Sequence, residues 1–171
     1  MTAVLLLAPV ACKRHKKPAV QTAASTDAPL SLPASSISAA DPQAASRLIE
    51  GFYDIEQNSW RWTGKTFAVR LAAPPHAAEN GAQLLMHLTV PDIVIQRLKT
   101  TTLTASIQGA TLGSETYSQP GQYTFLHEVP ANRLQSGEVR IDFALDKSIP
   151  PGNPDARELG IIVSDVGLTA K

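Results

Sequence analysis

Beyond about residue 47 the chain alternates apolar and polar positions with a period of two. Phe67, Val69 and Leu71 alternate with Ala68 and Arg70, and Leu84, Met86, Leu88 and Val90 with Leu85, His87 and Thr89. The same period runs through Leu103, Ala105 and Ile107, and again through Tyr123, Phe125, His127 and Val129. It is cleanest over Val139-Arg140-Ile141-Asp142-Phe143-Ala144-Leu145. Successive side chains of a strand point to opposite faces, so this pattern predicts strands with one face on a core and one in solvent. Such half-buried strands belong to antiparallel sheets.

Turn residues punctuate these runs. Ala73-Pro74-Pro75 and Glu79-Asn80-Gly81 separate one strand from the next, and Gln108-Gly109, Gln119-Pro120-Gly121 and Ser136-Gly137 each abut a strand pattern. Single helical turns are expected over residues 91–98 and 131–134, and a last strand over 158–168. The predicted class is all-β: an antiparallel β-sandwich, jelly-roll-like, preceded by a disordered N-terminal segment.

That segment has its own organisation. Residues 3–11 (AVLLLAPVA) form an apolar run that ends at Cys12. The run has the length of a signal-peptide core and falls well short of a membrane span. An apolar run, a small residue (Ala11) and then cysteine resemble the bacterial lipobox, in which the cysteine is lipidated; Pro9 departs from the aliphatic residue usual three places before it. The resemblance implies lipidation at Cys12 and a protein exported to the cell envelope. Lys13, Arg14, Lys16 and Lys17 follow directly. At a membrane surface each adds attraction to anionic lipid of up to about 1 kcal/mol. Residues 18–46 are dominated by Ala, Ser, Pro and Thr without an aromatic. Such a composition buries too little apolar surface to offset the entropy of ordering, which predicts a flexible stalk. The expected organisation is a signal segment over 1–12, a basic stretch and stalk over 13–46, and a folded domain over 47–171.

Charge and cysteine content narrow the functions. Net charge is zero over 171 residues, but residues 47–171 hold eleven basic and thirteen acidic side chains. A slightly acidic domain has no electrostatic drive toward nucleic acid. Cys12 is the single cysteine, so an intrachain disulfide is excluded, as is a multi-cysteine zinc site. His76, His87 and His127 lack the close spacing of metal ligands, and no Gly-x-Ser-x-Gly elbow or phosphate-binding glycine loop is present. No catalytic residue, metal or cofactor is therefore expected.

Four of the nine aromatics lie between Phe52 and Trp62. Trp60 and Trp62, two apart on a strand, share a face. Exposed, they make a platform for the C–H face of a sugar ring, with Arg61 and Tyr53 as neighbouring contacts; buried, they are heavy core residues. The Pro-rich stretch 147–160 (KSIPPGNPDARELG) predicts a long extended loop returning to the last strand. Arg157, with a planar fork of donors, is suited to clasp Asp155 or Glu56, with Glu158 alongside. An arginine next to Asp155 and Glu158 keeps both ionised, which suits neither to act as a general acid.

The combination Gly51-Phe52-Tyr53-x-x-Glu56, Trp60-Arg61-Trp62-Thr63-Gly64, Leu145-Asp146-Lys147 and Asp155-x-Arg157-Glu158-Leu159-Gly160 resembles small bacterial β-sandwich modules associated with cell-surface polysaccharide enzymes. The resemblance implies an accessory, carbohydrate-proximal role and transfers no ligand residue. Two expectations stand together: a non-catalytic envelope lipoprotein that binds glycan through the tryptophan face, or a structural module that engages an envelope protein through an open sheet edge.

Overall fold

A computed structural model describes residues 35–171. Cys12, the basic cluster and residues 18–34 of the expected stalk lie outside the described residues. The folded unit is all-β and antiparallel. Its strands are β1 (Ser36–Ser38), β2 (Leu48–Glu56), β3 (Trp60–Ala72), β4 (Ala82–Val90), β5 (Thr101–Ile107), β6 (Ala110–Tyr117), β7 (Gly121–Val129), β8 (Glu138–Leu145) and β9 (Ile162–Ala170). Two short helices, α1 (Ala77–Asn80) and α2 (Asp92–Leu98), and 3-10 turns at Pro42–Ser46 and Ala131–Arg133 complete it.

Hydrogen-bonded neighbours run β6-β5-β8-β3-β9-β4-β7, with β1 on β9 and β2 on β3. The hinge of this path is the thirteen-residue β3. Its C-terminal half pairs with β8 from Thr66↔Ala144 to Ala72↔Glu138, while Arg61 and Trp62 at its start pair with Val163 and Ile162 of β9. One strand thus serves two sheets, and the path doubles over into a sandwich. Phe143 on β8 and Phe125 on β7 lie far apart along the path, yet their rings meet edge to face at 6.4 Å. Phe67 stacks on Phe143 at 4.9 Å, and Phe52 of β2 meets Phe67 at 5.3 Å. Leu84, Met86 and Leu88 of β4, Leu103 and Ile107 of β5 and Ile141 of β8 are fully buried around them. These are the inward positions of the alternation, so the sandwich rests on apolar burial of one face per sheet.

The domain boundary expected at residue 47 falls inside the fold. β1 pairs with β9 from Ser36↔Gly167 to Ser38↔Asp165, and Ile37, Ala39 and Ala44 are buried. The Asp41 carboxylate caps the following turn by accepting from the Gln43 amide at 2.8 Å. A stretch poor in large apolar residues folds here because β9 supplies an unfilled hydrogen-bonding edge, and one isoleucine suffices to seat a three-residue strand. The last strand begins at Ile162, later than expected, because Glu158 to Ile161 lie in the loop that docks against β3.

Candidate functional site

The Pro-rich loop is held from both sides. Ile149 and Leu159 exchange backbone hydrogen bonds at 2.8 and 2.9 Å, closing its neck, and the Gly160 amide donates to the Thr63 carbonyl at 2.7 Å. Arg157 then ties the loop to the β2–β3 hairpin. Its Nη1 donates to Glu56 Oε1 at 2.7 Å, its Nη2 to Asp155 Oδ2 at 2.8 Å and its Nε to Asp155 Oδ1 at 3.1 Å. The guanidinium also lies 5.1 Å from the centre of the Tyr53 ring, and the Tyr53 hydroxyl donates to the Glu158 carbonyl at 2.8 Å. The Glu158 carboxylate accepts from Ser148 Oγ at 2.7 Å and from the Lys65 amide at 3.1 Å. Every charged member of this cluster has a partner within the fold.

Bonding to Arg157 lowers the Asp155 carboxyl to about 2, through its side chain first and its backbone amide second. The Ser148 hydroxyl, then the Lys65 amide, lower Glu158 as well. A general acid needs the opposite shift, so this pair of carboxyls is unsuited to that role. The three side chains of the clasp remain 33–36% exposed, so solvent screens it. It therefore stabilises as a screened surface ion pair does, well short of a buried one. Because the folded-state value of Asp155 lies below the ordinary carboxyl value of about 3.9, its contribution is complete above that pH. It is lost as pH falls toward about 2. Acid unfolding checks this: the stability gap between wild type and Asp155→Asn should close between about pH 5 and pH 2, and a gap constant over that range would sink the assignment.

The four residues that would form a sugar platform if exposed do not present one common surface. Trp60 and Trp62 are both half-buried on one face of β3, and Trp62 packs against the core. The Trp60 Nε1 is sealed from solvent without a hydrogen-bond partner among the described residues. Arg61, between them, must point to the opposite side. It is buried at 9% exposure and donates from Nε to the Ala39 carbonyl and from Nη1 to the Tyr53 carbonyl, each at 2.9 Å. Arg61 thus staples the chain after β1 to β2 and is no part of a surface platform. Tyr53 is likewise taken up, its ring by Arg157 and its hydroxyl by Glu158.

A different set of polar groups meets on the outer face of the β7–β4–β9 sheet. Directly paired residues share a face of a sheet. Register places Gln122, Thr89, Ile162 and Trp62 in one row across β7, β4, β9 and β3. The next row runs Thr124, His87, Asp165 and Ser38 across β7, β4, β9 and β1. His87 Nδ1 lies 2.7 Å from Asp165 Oδ1. Between the rows an irregularity in the β4–β9 pairing opens a shallow cleft of ≈ 250 Å³, lined by His87, Thr89, Gln122, Thr124 and Ser164 among others. The alternation of β4 marked His87 and Thr89 as outward-facing. Their convergence with Asp165 depends on which strands neighbour β4, which periodicity does not encode.

Among the described residues no group of three or more His, Cys, Asp or Glu side chains could hold a metal ion, and no helix is long and apolar enough to cross a membrane. No protein-family model and no curated protein matches the chain. Among solved structures, a carbohydrate-binding module, TmCBM27, studied for specific mannan recognition is similar at 13% identity and a TM-score of 0.43, covering 81% of this chain and 97% of that one. A CBM4 structure is similar at 10% identity and a TM-score of 0.39, covering 80% and 85%. Dimeric latent PorU from Porphyromonas gingivalis is similar at 12% identity and a TM-score of 0.34; the match covers 62% of this chain and only 10% of that one. These are loose likenesses of architecture.

Proposed function

We propose that the protein is a non-catalytic carbohydrate-binding module whose ligand lies across the outer face of β7, β4, β9 and β3. The observation that carries this is the pair of side-chain rows on that face. They place the partly exposed indole of Trp62 at one end of a row, with Ile162 between it and the hydroxyl, amide, imidazole and carboxylate groups that line or border a shallow cleft. A pyranose presents an apolar C–H face and a rim of hydroxyls, and this surface offers a counterpart to each. Pairing of His87 Nδ1 with Asp165 orients the imidazole and leaves Nε2 to meet a sugar hydroxyl. A glycan-array screen of the full chain, followed by titration of the best hit, tests the reading. Trp62→Ala and His87→Ala should each weaken binding about tenfold, or roughly 1.4 kcal/mol. Binding untouched by both substitutions would move the site elsewhere.

The alternative expectation, a protein partner added at an open sheet edge, has less to support it. The outer strands β6 and β7 face one another through Tyr117 and Tyr123 rings 4.6 Å apart and through Glu115 and His127 at 3.2 Å. Strand β2 is interrupted by three register shifts, which blunt it as a template.

The same proposal includes the anchor. Lipidation at Cys12 followed by a basic cluster would hold the module at an envelope membrane, a combination strong enough where one acyl chain alone is marginal. The native protein should then partition into detergent, and Cys12→Ser should release it to the aqueous phase. Equal partitioning of the two would refute the anchor.

A further inference from the structure

A second concavity, of ≈ 250 Å³, opens between α2 and the Pro-rich loop. Its walls are apolar: Ile149, Pro150, Pro154 and Leu159 from the loop, and Ile93 from α2. Ile93 is 38% exposed, one of two large apolar side chains left so open among the described residues. Arg97 also lines the pocket, four residues after Ile93 and so on the same face of α2. Its guanidinium makes neither a hydrogen bond nor an ion pair among the described residues. The other charges at the rim, Asp155 and Arg157, are spent on each other, both Asp155 oxygens accepting from the one guanidinium. One unspent cation therefore stands over an apolar hollow whose far wall is braced at its neck by the Ile149–Leu159 pair.

We infer that this pocket is a binding site for a small carboxylate with a compact apolar body, the carboxylate on Arg97 and the apolar part against Ile93, the two loop prolines, Ile149 and Leu159. A guanidinium takes a carboxylate through two parallel hydrogen bonds, which gives both charge and direction. The volume equals that of about eight water molecules, enough for one ring or a short branched chain. None of the pocket residues belongs to the outer-face rows, so this site stands or falls independently of glycan binding there.

Cyclohexanecarboxylate is a suitable probe and its carboxamide the uncharged control. Titrated into isotope-labelled full-length protein, the carboxylate should produce saturable NMR shifts at the Ile93, Ile149 and Leu159 methyls, with the amide binding at least tenfold more weakly. Arg97→Gln, at an exposed position, should leave the rest of the spectrum in place and raise the Kd for the carboxylate at least tenfold. The inference is overturned if acid and amide bind alike, if the carboxylate gives no saturable shift at those methyls, or if Arg97→Gln binds it like wild type.

Discussion

Phe143→Ala is expected to cost about 3–5 kcal/mol, a large share of the roughly 5–15 kcal/mol that holds a domain of this size folded. Phe143 is 1% exposed, stacks on Phe67 of its own sheet at 4.9 Å and meets Phe125 of the opposite sheet at 6.4 Å. Truncation removes a ring from between two others, and the gap cannot close unless both sheets move. The cost is therefore the lost transfer of the ring plus the cavity left behind. A thermal melt should show a fall on the order of 10–20 °C. Phe143→Leu keeps most of the volume and should lose much less. A loss below about 1 kcal/mol for the alanine variant would mean that the two sheets do not meet around this ring.

Gly51→Ala should be nearly as damaging, for a backbone reason. Gly51 sits at φ +75° where the register of β2 against β3 slips, and a methyl group there would collide with the Thr66 carbonyl oxygen and come within 2.7 Å of Phe67 Cβ. The left-handed conformation costs a non-glycine residue roughly 1–2 kcal/mol, and forcing a group into packed space about 1–3 more. Gly109 separates the two terms. It has a similar φ of +76°, in the turn between β5 and β6, but nothing within 4 Å of an added methyl. Gly109→Ala should show the conformational cost alone. Chemical denaturation of the two variants side by side checks this, and equal losses would mean that the clash at Gly51 is relieved by local movement.

Several parts of this protein are legible without its structure. The inward faces of β3, β4, β5, β7 and β8 are the apolar positions of the alternation, because a half-buried strand has to repeat every two residues. The turn of α2 and the one after Val129 also follow from local pattern, as does the tight Gln108-Gly109 hairpin, whose two residues both take positive φ. The pairing of Arg157 with Asp155 is partly local, since the two are only two residues apart.

What the sequence could not reach are the contacts made across distance in the chain. Strand β6 carries no clear alternation, because its two core contacts, Leu112 and Tyr117, are an odd number of residues apart across a register shift against β5, and the positions between them are small or polar. The stretch around Ile37 reads as stalk by composition and becomes β1 only where β9 offers an edge. Arg61 reads as a surface cation beside two tryptophans, yet the carbonyls of Ala39 and Tyr53 draw it inward. His87 and Asp165 are 78 residues apart and meet because β4 and β9 are neighbours. Period and composition thus determined the class of the fold, the faces of most strands and the returning loop. Strand order, register and the surfaces they assemble were decided by tertiary structure, because the free energy that selects one pairing over another resides in long-range contacts that no local pattern records.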